Sequence, residues 1–307
     1  MILGNTISLI IGILFLVVGS NFLISATESI SSKYKISGFF ASFFLIGIAT
    51  SAPEIFISIE SALLNETALA IGNTLGSNIS NIALVFCLSI FFLNKQSKIK
   101  LAVRPFVSLL AITILSFNLL YYDNKVDYID SVILIFAMFI AIIFFKDEQT
   151  SNTRKNDLIN TSVVLILFII GIGLLIYGAE IFIDSATEIA IIFGISTYVI
   201  GLTLTAIGTS LPELAASIQS ARKGRGDFIV GNVIGSNIFN LSVALSAAAI
   251  INTGFVEDFE ILRDYSLIII TTLAFYLILK SSNIVIRYIF SILIIAIYMI
   301  YIYSVLT

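Results

Sequence analysis

The stretch Ala49-Thr50-Ser51-Ala52-Pro53-Glu54, followed by Gly72-Asn73-Thr74-Leu75-Gly76-Ser77-Asn78-Ile79-Ser80-Asn81, places a proline, a carboxylate and a row of hydroxyls and amides inside an otherwise apolar span. It recurs 159 positions later as Gly208-Thr209-Ser210-Leu211-Pro212-Glu213 and Gly231-Asn232-Val233-Ile234-Gly235-Ser236-Asn237-Ile238-Phe239-Asn240. An ionisable group at membrane depth is expensive and is by default a sign of function. Two of them in matched positions of two halves point to a transport site at the interface of two repeats. The likeness extends outward from the blocks: Gly19 matches Gly178, Ile36-Ser37 matches Ile195-Ser196, and Ser25-Ala-Thr-Glu28 matches Ser185-Ala-Thr-Glu188 after a shift of one residue. Duplication explains this better than chance composition.

Of the 307 residues, 59% are hydrophobic and 11% charged, with a mean hydropathy of +1.09. So little charge cannot cover a water-facing surface, and an ordinary soluble protein is excluded. A span needs roughly 20 apolar residues, and turn residues and charges divide the chain into about ten of them. They are expected near 5–23, 37–60, 70–93, 101–121, 128–145, 161–183, 196–220, 228–251, 263–280 and 284–305. The expected fold is an all-α membrane protein: a first five-helix repeat over 1–145 with its block at 47–81, a cytoplasmic linker over 146–160, and a second repeat over 161–307 with its block at 206–240. An odd number of spans per repeat makes the second copy enter the membrane the other way up, so the repeat is inverted.

Lysine and arginine mark cytoplasmic loops. All but two of the 16 basic residues fall in alternate loops, leaving only Lys125 and Arg263 on the other side. Both termini are therefore expected outside the cytoplasm of a multi-pass protein of the cell membrane, and the first span reads as a retained helix, lacking the basic start and small-residue cleavage pattern of a signal peptide. The chain has no histidine, which removes imidazole metal ligation and histidine proton relays. Its one cysteine, Cys87, permits no disulfide within the chain. There is no nucleotide-binding glycine loop and no basic patch large enough for nucleic acid. The expected surroundings are the lipid bilayer, with no obligate protein partner evident.

A proline inside a membrane helix removes a donor and displaces the carbonyl four residues earlier, here near Ala49 and Gly208. Broken helices at that depth are tolerated where they face protein or a water-filled cavity. On helical spacing Thr50 and Ser51 share a face with Glu54, and Ser77 shares one with Asn81. Thr209, Ser210, Glu213, Ser236 and Asn240 repeat the arrangement, giving oxygen donors without nitrogen or sulfur. Such a set suits calcium, which takes six to eight oxygens, and it also suits sodium. At an effective dielectric near 20 and about 5 Å, one carboxylate attracts a divalent cation by roughly 6–7 kcal/mol before desolvation. Two empty carboxylates repel each other, so protons should compete at low pH, and a site that is costly to leave empty favours exchange.

Other roles compete for some of these residues. Ser, Thr and Asn also hold membrane helices together, and packing is the preferred reading for Asn73, Asn78, Asn232 and Asn237 and for the glycine pairs Gly72/Gly76 and Gly231/Gly235. Glu257, Asp258, Glu260 and Asp264 read as a solvated loop.

The two copies of Gly/Ala-Thr-Ser-x-Pro-Glu, each followed by Gly-Asn-x-x-Gly-Ser-Asn-Ile, resemble both alpha repeats of the sodium/calcium exchangers of the cation/calcium exchanger superfamily, and the ten-span layout covers essentially the whole chain. The resemblance implies a secondary antiporter that exchanges sodium for calcium by alternating access, moving net charge, with no cofactor and no enzymatic activity. It implies calcium on Glu54, Glu213, Thr50 and Thr209, and sodium sites drawing on Ser51, Ser77, Ser210, Ser236 and the carbonyls of Gly47 and Ala206. The first and sixth helices would slide past a core of the second, third, seventh and eighth. Archaeal-type members carry an acid where this chain has Asn240, and the large regulatory insertion of the animal proteins has no counterpart in 146–160. A calcium/proton antiporter and a potassium-dependent exchanger are the nearest alternatives. A channel or an intramembrane enzyme fits worse, since the site comes from a pair of repeats in one chain and lacks an activated nucleophile.

Overall fold

Backbone groups inside hydrocarbon must be satisfied within their own segment, and the chain accordingly forms helices along nearly all of its described length. The computed structural model describes residues 2–93, 99, 103–146, 160–195, 206–256 and 258–306. In chain order the elements are α1 (Ile2–Tyr34), α2 (Gly38–Thr50), α3 (Ala52–Leu63), α4 (Thr67–Phe91), α5 (Val103–Asp123), β1 (Lys125–Val126), α6 (Tyr128–Phe145), α7 (Thr161–Ile192), α8 (Ala206–Thr209), α9 (Leu211–Arg222), α10 (Gly226–Ile251), β2 (Gly254–Phe255), α11 (Asp258–Lys280) and α12 (Ile284–Leu306).

Among the described residues eight helices are long and apolar enough to cross a membrane. The pair α2–α3, bent by 42°, makes a ninth if it is one broken span. The protein is thus an all-helical membrane protein. The remaining expected span, 196–220, ends in α8 and α9, and its residues 196–205 lie outside the described residues, as do Glu257 and most of the linker.

Three expectations need correction. The first and sixth spans run well past 23 and 183, to Tyr34 and Ile192. In α1 the polar continuation satisfies itself: Thr27 Oγ1 donates to Leu23 O at 2.9 Å and Ser29 Oγ to Ser25 O at 2.9 Å. At 1.5 Å per residue α1 is about 50 Å long, well beyond a hydrocarbon core of about 30 Å. Asp264 is no loop residue. It is buried in α11, where Arg263 Nε donates to it at 2.7 Å and Tyr301 Oη at 3.1 Å. The fold also contains a short antiparallel ribbon, with Lys125 opposite Phe255 and Val126 opposite Gly254.

Helices α4 and α10 form the centre, each 78% buried over its most apolar window, against 33% for α1, 28% for α7 and 22% for α12. This ordering puts α4 and α10 at the core and α1, α7 and α12 at the periphery. Helices α1 and α7 lie together at glycines. An added Cβ at Gly12 would stand 2.9 Å from Gly178 O, and one at Gly19 would stand 2.8 Å from Gly171 O. Ascending numbers in α1 meet descending numbers in α7, so these two helices run antiparallel.

One end of the bundle gathers the α3–α4 turn, the α5–α6 turn and the α10–α11 connection. There Asn252 Nδ2 donates to Asn65 Oδ1 at 3.1 Å and Lys125 lies 3.3 Å from Asp123 and 3.4 Å from Asp127. Backbone N–H groups of Asp130 and Ile129 hold the Asp127 carboxyl below the usual carboxylate range while it caps α6. The opposite end carries the α1–α2 and α9–α10 turns and the start of α7, where Lys33 bonds Thr161. The turns at Asn65 and Gly224 are copies of each other. Both have left-handed φ (63° and 69°), and each is closed by a bond from the next residue, Glu66 N to Ser61 O and Arg225 N to Ser220 O, both 2.8 Å.

Candidate functional site

Each block begins where a helix breaks. Ser51 leaves helical geometry (φ −83°, ψ 3°) and Pro53 stands in the first turn of α3; Ser210 (φ −86°, ψ 4°) and Pro212 do the same before α9. Proline is at ease in a first turn because its missing N–H has no partner there to lose. The second half of each block is helical until Asn81 and Asn240, where a wider π-helical segment begins, Asn81–Phe86 and Asn240–Ala244. A third such segment, Ser42–Ile46, precedes Gly47 in α2. Such bulges are frequent at functional sites.

The breaks bring the two repeats together. Glu54 and Glu213 are both buried. Ser51 Oγ donates to Glu213 Oε1 at 3.3 Å. Glu213 Oε2 and both carboxylate oxygens of Glu54 have no hydrogen bond of normal geometry, although Ser77 faces Glu54. Thr50 Oγ1 lies 3.2 Å from Asn232 Oδ1 and 3.5 Å from Ser236 Oγ, while also reaching Ile46 O at 3.0 Å. Ser210 Oγ is 2.6 Å from Ser80 Oγ. Asn81 and Asn240 are completely buried, and neither end of either amide has a partner. Gly47 packs on Gly235, whose Cα would be 3.2 Å from an added Cβ. Thr209 is buried in α8, of which Ala206 is the first described residue.

Helical spacing had put Thr50 and Ser51 on one face with Glu54. The break at Ser51 overturns this: both hydroxyls turn across to the second repeat, to Asn232, Ser236 and Glu213. Ser80 was missed because the matching position of the second block is Phe239, so comparing the copies discards it. Asn232, read as a packing residue, holds three groups at once: Thr50, the Glu213 carbonyl at 3.3 Å and Ser217 Oγ at 3.0 Å. The glycine pairs divide. Gly231 and Gly235 press on α2, with Phe39 O and Phe43 O 2.5 and 2.6 Å from an added Cβ, whereas Gly72 and Gly76 meet no described atom within 4 Å.

Among the described residues no three His, Cys, Asp or Glu side chains converge. What converges is a pair of carboxylates among hydroxyl and amide oxygens. Buried carboxylates without donors are costly, and a cation accepting several oxygens is the group that relieves the cost.

A model of the family described as "Sodium/calcium exchanger protein" matches residues 4–146 and 163–307, once in each half. The chain is 32% identical to the inner membrane protein YrbG of Escherichia coli, over 89% of this chain and 87% of that one. It is 34% identical to an uncharacterized membrane protein of Methanocaldococcus jannaschii, over 90% of both, and 26% identical to the sodium/calcium exchanger MaX1 of Methanosarcina acetivorans, over 81% of this chain and 84% of that one. A solved structure of the sodium-calcium exchanger NCX_Mj, soaked with zero Na+ and Ca2+, superposes with a TM-score of 0.82 at 31% identity, covering 99% of this chain and 100% of that one. Two matched halves, two matched acid blocks and a shared fold over the whole length lead to one assignment: this chain belongs to the sodium/calcium exchanger family.

Proposed function

We propose that this chain is a secondary antiporter that moves sodium and calcium in opposite directions through one site, exposed alternately to the two sides of the membrane. The observation that carries the reading is the pair Glu54 and Glu213, both buried and short of donors where the two repeats meet. Calcium neutralises both charges at once and draws further oxygens from Thr50, Thr209, Asn81 and Asn240. Sodium uses the same carboxylates with Ser51, Ser77, Ser210, Ser236 and the carbonyls of Gly47 and Ala206. Because the two ions share oxygens, binding of one expels the other, which is the elementary step of exchange. More than two sodium ions per calcium makes the cycle electrogenic.

The architecture proposed is two inverted five-helix repeats, 1–145 and 161–307, joined by a cytoplasmic linker. The antiparallel contact of α1 with α7, its counterpart at the 159-residue offset, supports inversion. The basic loops favour a cell-membrane protein with both termini outside the cytoplasm. Sliding of α1 and α7 against the α4–α10 core would alternate access.

The test is calcium uptake into sodium-loaded proteoliposomes, with outside sodium, potassium and pH varied in turn. Uptake should require internal sodium and vanish in Glu54→Gln and Glu213→Gln. Uptake driven by a proton gradient without sodium would replace this reading by calcium/proton exchange.

A further inference from the structure

The two blocks carry the same four polar positions and one glycine at the same spacing: Thr50, Glu54, Ser58 and Asn73 with Gly72 in the first, and Thr209, Glu213, Ser217 and Asn232 with Gly231 in the second. Their hydrogen bonding differs. In the second block Asn232 is 1% exposed and its Nδ2 donates to Glu213 O at 3.3 Å and to Ser217 Oγ at 3.0 Å, while its Oδ1 faces Thr50 of the other repeat at 3.2 Å. The amide cannot be turned over, because Nδ2 faces a backbone carbonyl that only accepts. In the first block Asn73 is partly exposed, and neither its Nδ2 nor the fully buried Ser58 Oγ has a partner. The residues of the two sets are identical, so the difference lies in how each copy is packed.

We infer that Asn73 and Asn232 are alternating braces: each access state closes one asparagine onto its serine and glutamate carbonyl and opens the other. The closed brace ties α9 to α10 and, through Thr50, to α2, at the half of α10 that starts from the basic end of the bundle. Gly231 and Gly235 let α2 approach that same half of α10. The open brace leaves Asn73 and Ser58 unjoined at the other end, so the state described here, with both glutamates buried, is the one loosened on the side away from the basic loops. Reversal requires Asn232 to release Ser217 and Asn73 to engage Ser58. A buried amide left without partners is unfavourable, so having one brace closed in each end state and both loosened between them separates the two states. Both asparagines are positioning residues: they set the placement of Thr50 and of the glutamate-bearing helices and need not touch an ion.

The inference rests on the alternating-access reading above, and its test does not depend on measuring transport. The full-length protein in lipid nanodiscs, free of calcium, is followed by hydrogen exchange of peptides from residues 67–80 and 226–239. Asn232→Ala should raise exchange in 226–239 and lower it in 67–80; Asn73→Ala should do the reverse. Loss of about one buried hydrogen bond corresponds to a shift of about five-fold in the ratio of the two states. Ser217→Ala and Ser58→Ala, milder changes at the other end of each brace, should give the same pair of opposite signs if an asparagine variant does not fold. Effects of the same sign from the two copies, or exchange unchanged in folded variants, would overturn the braces. Wild-type protein inactive in proteoliposomes would instead count against the exchanger reading and leave the hydrogen-exchange signs to stand by themselves.

Discussion

At the scale of single residues, the carboxylates set the behaviour of the site. Glu54 has no hydrogen-bonded donor and Glu213 has one, from Ser51, so the ion-free protein keeps two poorly satisfied acids at its centre. An ion that binds only the folded state stabilises it by about 2.7 kcal/mol at a hundred times its dissociation constant. Calcium should therefore raise the melting temperature of the wild type by several degrees, and Glu54→Gln and Glu213→Gln should each remove that rise. In the absence of calcium neither variant should melt lower than wild type by more than a degree or two, because each substitution also removes the repulsion between the acids. A calcium response that survives in Glu54→Gln would remove that carboxylate from the site. The acids themselves were legible in the sequence, as charges stranded in apolar spans. Their partners were not: reading Thr50, Ser51 and Glu54 as one helical face assumes that the helix continues through Ser51, and the break there sends both hydroxyls to the other repeat.

Among the elements, α1 and α7 outrun their expected lengths, and for α1 the reason is tertiary. Its polar last turns look like a loop until Arg225 is placed against them. Arg225, 8% exposed, donates Nη1 to Glu28 Oε1 at 2.9 Å and Nη2 to Asp227 Oδ2 at 2.9 Å, and its guanidinium lies 3.6 Å from the Phe228 ring centre. Burial disfavours its charge, but the bonds to Asp227 and Glu28 outweigh this and raise its pKa. The contact fastens α1 to the α9–α10 turn at the same end of the bundle as the closed Asn232. Arg225→Gln takes the guanidinium from two partly buried carboxylates, leaving Glu28 with Lys223 at 4.0 Å, and should cost about 1–3 kcal/mol. Arg225→Lys should recover little of it, because one ammonium cannot serve both carboxylates in a fork and lie flat on Phe228. Melting temperatures of the single variants and of Arg225→Gln with Glu28→Gln measure this, and the double variant should be less damaged than the sum of the two. Full additivity would mean that the pair does not fasten the helices. The block helices with both ends described, α2–α3, α4 and α10, by contrast, fall within three residues of the bounds expected from apolar length alone.

For the whole molecule, the duplicated blocks made the two-part plan legible, while the conformational difference between the copies could not be read from residues that are the same in both. The sidedness of the bundle is a separate matter, set by where lysine and arginine fall, and it makes a prediction that does not depend on ions. Tyr34, 62% exposed, lies at the end that carries the basic turns; Tyr122, 90% exposed, lies at the end held by the β1–β2 ribbon. Cys87 is completely buried, so the native thiol contributes little background to labelling. With a membrane-impermeant maleimide on intact cells, Tyr122→Cys should react directly and Tyr34→Cys only after the membrane is opened. Because α1 crosses once between Ile2 and Tyr34, the same result puts the N-terminus outside. The α9–α10 turn with Arg222, Lys223 and Arg225 then lies in the cytoplasm, and the closed Asn232 brace seals the cytoplasmic half of the pathway. The reverse labelling pattern would turn the bundle over, with the brace at Asn232 closing the outer half of the pathway instead.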